Sequence, residues 1–295
     1  MSSSVSSKPL FKAGWLRVLF YILALVILAA AVLAFFILGL QKGNPDMSGL
    51  RDLSKGNLGA FIVLIFFVLT LGITHIFRRW VDRKSFESLG LGVKGKIGDA
   101  IAGGALALFI MGGSCLVIQV TGHLKWMDFI FDPKFQFIVF GTLGLSAFYE
   151  ELIFRGYVLG NLLDSFPKWL ALVVTSLLFM VFHWTSAGFF PLLNTLILGL
   201  ITGVFYLYSR NLWFSVCFHW IWKFMAGPVL GFGDEPSSQS LLQSSLLGDE
   251  NITGGTSGLQ GSGVLTAISL LSAIALYLIM QKKLNLKSLP VPGRI

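Results

Sequence analysis

Apolar runs of about 20 residues, nearly free of charge, recur along the whole chain, and a soluble core has no place for so many of them. A run of that length spans the roughly 30 Å hydrocarbon layer of a bilayer as an α-helix. We place eight spans, at 15–40, 58–77, 99–121, 135–162, 168–186, 190–209, 212–231 and 263–281. Strands of a membrane barrel would alternate with period two, whereas these runs are continuous. Of the 295 residues 55% are hydrophobic and 12% are charged, and soluble domains carry about twice that charged fraction. The expected fold class is all-α: a polytopic membrane protein, a bundle of about eight transmembrane helices. One transmembrane domain covers 15–281, with its catalytic-type core at about 135–230. A cytoplasmic N-terminal tail, 1–14, precedes it, and a basic cytoplasmic C-terminal tail, 282–295, follows.

The net charge of +8 does not point to nucleic acid, because the basic residues gather in short loops, as topology and anionic headgroups require. Counted by side, 15 Lys and Arg fall with the N-terminus and 5 on the opposite side. The positive-inside rule then puts both termini in the cytoplasm, and the membrane expected is the plasma membrane of a prokaryote. The N-terminal run, behind Lys8, Lys12 and Arg17, is longer than the roughly 7–15 residues of a signal-peptide core and is expected to be retained. Cys115 and Cys217 both lie in apolar spans, so no disulfide framework is expected.

The 78–98 loop mixes Arg and Lys with Trp80, Phe86 and Leu89, the composition of a surface segment touching anionic lipid. The 232–262 loop holds Asp234, Glu235, Asp249 and Glu250 with no Lys or Arg. It is rich in Gly, Ser and Gln, will not form its own core, and reads as an acidic outer loop. Gly199 and Gly203, and Gly103, Gly104, Gly112 and Gly113, are expected to permit close helix packing. Asn194 and Thr195 are expected to bond a neighbouring helix, Trp220 and Trp222 to pack, and His75 and His123 to lie at the interface.

Within the spans the polar residues are few. Between Lys134 and Asp164 only Glu150, Glu151 and Arg155 are charged, in a setting that solvates charge poorly. Glu151 and Arg155 are four apart and can pair on one helix face. Glu150 lies about 100° round the helix and is not offered that partner. Later spans contribute His183, preceded at −4 by Phe179, and His219 with Lys223 four residues on. Short connections make these helices antiparallel neighbours. A carboxylate with two histidines can activate water, since burial raises a carboxyl's pKa toward a general base's range and a histidine can share the proton. The same three groups, Glu150, His183 and His219, could hold Zn²⁺, although the HExxH spacing is absent. A transporter reading lacks an inverted repeat or a pair of broken helices.

These residues resemble the CPBP family, the CAAX proteases and bacteriocin-processing enzymes also called Abi proteins. Glu150-Glu151-Leu-Ile-Phe-Arg155-Gly156 matches its EExxxR motif, Phe179 and His183 match FxxxH, and His219 matches the first position of HxxxN/D. The resemblance covers roughly 135–230. It implies an eight-helix intramembrane endopeptidase in which Glu150 and His183 activate the water, His219 helps stabilise the oxyanion, and Glu151 and Arg155 brace the site. It leaves two chemistries open, a glutamic peptidase needing no cofactor and a zinc peptidase. The implied partner is a membrane-tethered peptide or prenylated protein. Lys223 departs from the family, where Asn or Asp is usual. A Lys there costs roughly 2.5–3.5 kcal/mol on insertion scales unless paired. It could quench Glu150 by pairing with it, or donate strongly to an oxyanion. Quenching would leave a catalytically weak protein acting in membrane binding or bacteriocin immunity.

Overall fold

Backbone groups in an apolar layer must bond one another, so each apolar run folds as a helix. The computed structural model describes residues 8–41, 56–184, 188–232 and 239–284. Its main helices are α1 (Gly14–Gln41), α2 (Gly56–Ile76), α3 (Ile97–Val120), α4 (Pro133–Glu151), α5 (Lys168–Phe182), α6 (Phe189–Ser209), α7 (Trp213–Phe224) and α8 (Gly263–Leu284). Among the described residues, six helical stretches are long and apolar enough to cross a membrane: Gly14–Leu38, Leu58–Val81, Ile97–Val120, Pro133–Leu162, Phe189–Ser209 and Gly255–Gln281. The protein is thus an all-α polytopic membrane protein. The fifth and seventh expected spans are helical but shorter. α5 stops at Phe182, where His183 leaves helical geometry (φ −95°, ψ 18°), short of the boundary expected at 186. α7 continues through a π-helical turn, Met225–Val229, around Pro228.

Two ends of the bundle are defined by hydrogen bonds. At the first, the Leu10 N–H donates to Val81 O at 2.8 Å and the Leu212 N–H to Gly90 O at 3.0 Å. Fully buried Asp82 accepts there from Arg17 (3.4 Å), Arg78 (2.8 Å), Tyr157 (3.2 Å) and Asn161 (3.2 Å). Arg17 also reaches Asp164 at 2.7 Å. This network offsets the cost of the buried ions and ties α1, α2 and α4 together. None of it was anticipated in the sequence.

The opposite end carries a two-stranded antiparallel sheet, β1 (Leu124–Phe129) with β2 (Leu242–Leu246). Here the loop expectation is corrected. Residues 239–262 are a shaped cap, with β2, a turn of helix at Glu250–Thr253 and a 3₁₀ segment at Gly255–Gly261. The cap borrows the bundle's core, burying Thr253, Leu259 and Ser262; the 233–238 part of the loop lies outside the described residues. Asn194 donates at 2.8 Å to Gln260 O in the 3₁₀ segment that leads into α8, so it bonds a neighbouring helical stretch as expected. Thr195 bonds Pro191 O on its own helix.

Glycine brings helices close only at some of the expected places. Gly103 lies against the Phe214 backbone of α7, Gly199 against Ser176 of α5, and Gly203 against Leu172. Gly112 and Gly113 have nothing within 4 Å of a built Cβ, so their packing role is not borne out. Gly144 faces the Trp220 indole, whose Nε1–H donates to Phe140 O at 2.9 Å.

Candidate active site

Helix periodicity places Ser146 and Glu150 one turn apart on α4, and their side chains bond, Ser146 Oγ donating to Glu150 Oε1 at 2.7 Å. Beyond Glu151 the helix widens to π geometry from Leu152 to Leu159, and every residue of that stretch is buried. Arg155, within it, donates from Nη1 to Glu151 Oε1 at 3.0 Å and from Nη2 to Gly199 O at 3.3 Å. The Arg155 guanidinium carbon sits 4.2 Å over the Phe179 ring. The second oxygen of Glu151 and the Nε of Arg155 are buried without a partner among the described residues. The pair is a rigid wall of the site.

α5 delivers His183 and α7 delivers His219 and Lys223 to the same point. His183 Nε2 is 3.1 Å from Glu150 Oε2, and His219 Nε2 is 3.6 Å from that oxygen. Lys223 Nζ donates to Glu150 Oε1 at 2.6 Å and to Ser146 Oγ at 2.8 Å. Glu150 therefore does not stand free. It is the most contacted carboxylate in the site, and its own ion partner is a residue on another helix. Ser146 was missed in the sequence, where its only signal was a hydroxyl four residues before the first Glu. His75 and His123 lie elsewhere, the first beside Phe86 and the second bonded to Thr121.

The tautomers follow from the acceptors. His183 Nδ1 faces Phe179 O at 3.0 Å, and a carbonyl only accepts, so Nδ1 carries a hydrogen. His219 Nδ1 faces Glu151 Oε1 at 3.0 Å and donates likewise. Both Nε2 atoms then turn lone pairs toward Glu150 unless a further proton is present. The 3.1 Å contact between His183 Nε2 and Glu150 Oε2 needs one such proton, shared between base and carboxylate. The centre is arranged to exchange a proton.

The same arrangement suits a divalent metal. Glu150, His183 and His219 offer one ligand atom each, all within 4.8 Å of one another. Each imidazole has its other N–H held by an acceptor, as metal-ligating histidines do. The Lys223 ammonium occupies the second oxygen of the only carboxylate in that set.

An apolar cavity of about 460 Å³ adjoins the centre between α1, α2, α4 and α5. Tyr149, next to Glu150, and Phe182, next to His183, line it together with Ile22, Leu25, Phe66 and Ile153.

The fold and this cluster define a class, that of polytopic helical membrane proteins in which a Glu, two His and a Lys meet at one point inside the bundle. Residues 132–225 match the family model described as Type II CAAX prenyl endopeptidase Rce1-like. That match supports the CPBP, or CAAX protease, family for this region of the chain, and with it an intramembrane endopeptidase in general. No curated protein and no solved structure matches the chain.

Proposed function

We propose that this protein is an intramembrane endopeptidase that hydrolyses a peptide bond of a membrane-tethered substrate, a prenylated protein or a leader-type peptide. The observation that carries this reading is the convergence of Glu150, His183, His219 and Lys223 from three helices. A water that inserts between Glu150 Oε2 and His183 Nε2, displacing their direct contact, gives up one proton to the Glu150 carboxylate as its oxygen attacks the scissile carbonyl carbon. Lys223 spends two N–H groups on Ser146 and Glu150, and its third donates to the oxyanion that forms. His219, held at Nδ1 by Glu151, turns Nε2 toward the same point. As the intermediate collapses, the C–N bond breaks and the Glu150–His183 pair returns its proton to the leaving amine. The adjoining cavity, which has apolar walls, accepts the lipid chain or apolar flank that tethers the substrate.

Glu150, His183 and His219 are also the residues that would hold Zn²⁺. A bound zinc would supply a Lewis acid for the water and the carbonyl.

A second reading is favoured by one distance. A Lys223–Glu150 pair of 2.6 Å can hold the carboxylate too tightly for base catalysis, leaving a membrane binding or immunity protein. Purified protein assayed on lipid-tethered peptides in vesicles decides between them. Glu150→Ala is expected to abolish cleavage, and retention of full cleavage would sink the peptidase reading. Lys223→Asn is expected to slow cleavage; a faster variant would favour the quenched centre.

A further inference from the structure

A serine or threonine inside a helix has a ready partner, the carbonyl one turn back. Ser114, Thr142, Thr175, Ser176 and Thr202 all use it, each donating to the carbonyl four residues earlier. Ser146, also buried, directs its hydroxyl instead along α4 to Glu150 Oε1, at 2.7 Å. That turn presents a lone pair to Lys223 Nζ, 2.8 Å away. Nζ closes the triangle on the same Oε1 at 2.6 Å.

The two oxygens of Glu150 are thereby divided. Oε1 accepts from Ser146 and from Lys223, whereas Oε2 faces His183 Nε2 at 3.1 Å and His219 Nε2 at 3.6 Å. An ammonium on a flexible four-carbon stem can swing about a single partner. Two partners fix Nζ and, because the nitrogen is tetrahedral, the direction of its remaining N–H. We infer that Ser146 is a positioning residue that acts through Lys223: its hydroxyl fixes the ammonium against Glu150 and so aims the N–H left for the substrate oxygen. This role rests on the peptidase reading and on Lys223 as a donor within it. A hydroxyl that only steadied Glu150 would act without Lys223, and a double-mutant cycle separates the two.

Steady-state cleavage of lipid-tethered peptides in vesicles is measured for the full chain, Ser146→Ala, Lys223→Ala and the double variant. A misaimed reacting group loses rate steeply, so Ser146→Ala is expected to lower kcat about 10–10²-fold, with KM within a few-fold and Tm in detergent within a few degrees. In the Lys223→Ala background the same change is expected to cost less than about two-fold, because the donor it aims is gone. An equal loss in both backgrounds overturns the inference and makes Ser146 a support of Glu150 alone. No loss in the parent overturns it outright. Ser146→Thr keeps the hydroxyl and is expected to stay within a few-fold of the parent; a Ser146→Thr of parental Tm that is as slow as Ser146→Ala overturns it too. A crystal structure of Ser146→Ala requires no activity: Lys223 is expected in more than one rotamer, and a single rotamer unchanged from the parent overturns the inference. Full cleavage by Glu150→Ala sinks the peptidase reading instead and leaves the crystallographic result to decide whether Ser146 holds Lys223.

Discussion

Lys223 Nζ lies 2.6 Å from Glu150 Oε1, so the cation on α7 and the carboxylate on α4 meet across the bundle. Ser146 joins them, accepting from the ammonium and donating to the carboxylate. An ammonium so placed keeps one N–H for a substrate oxygen. Removing a single preorganised oxyanion donor costs about 10²–10³ in kcat. Lys223→Ala is therefore expected to lose about that factor in kcat while KM moves only a few-fold, measured by steady-state cleavage in vesicles. A higher kcat would mean that the pair suppresses the base.

His183 separates chemistry from architecture. Its side chain is 26% accessible and its partners are Phe179 O and Glu150, so its loss leaves little structure unsupported. His183→Ala is expected to cut kcat by about 10²–10⁴, the usual range for a proton-transfer group. Its Tm in detergent should stay within a few degrees of the parent. A large Tm fall with proportional activity loss would make the residue structural.

Much of this centre was legible because charge in an apolar span needs a reason. Glu151 with Arg155 was readable from i, i+4 spacing, and His219 with Lys223 from the same rule. What spacing cannot show is the rotation of one helix against another. Helix periodicity offers Glu150 no partner on its own helix and leaves Lys223 a choice between pairing with it and donating to an oxyanion; Lys223, 73 residues later in the chain, is paired with it. The buried Arg17–Asp82–Arg78 network escaped for a related reason. Its members sit at span ends, where charge is the ordinary state and carries no signal. The 239–262 cap was unreadable because its stability comes from the bundle it covers and not from its own composition.

Glycine spacing alone also misled, which gives a paired test. Gly103 abuts the Phe214 backbone, whereas Gly112, on the same helix, faces open space. A side chain at 103 must push α3 from α7, and overpacking of that kind costs about 1–3 kcal/mol. Gly103→Val should lower Tm by several degrees in detergent, and Gly112→Ala should leave it unchanged or raise it slightly, since Gly disfavours helix. Equal effects would mean that the α3–α7 contact is not made as described.

Acid should loosen the basic end first, through Asp164. Burial pushes this carboxyl upward, but the hydrogen bond from Arg17 and the nearby Lys84 ammonium outweigh it and hold it below the ordinary carboxylate range. A group whose folded pKa is depressed contributes stability above its unfolded pKa and loses it as pH falls through the folded one. For an aspartate the unfolded value is about 3.9, so the contribution is complete near pH 6 and fades below about pH 4. Asp164→Asn removes the titrating group while keeping its size. The Tm difference between parent and Asp164→Asn, followed in detergent from pH 6 to pH 3, is expected to be largest at pH 6 and to shrink toward zero in acid. A difference that stays constant across that range would show that Arg17 draws its support from Asp82 alone.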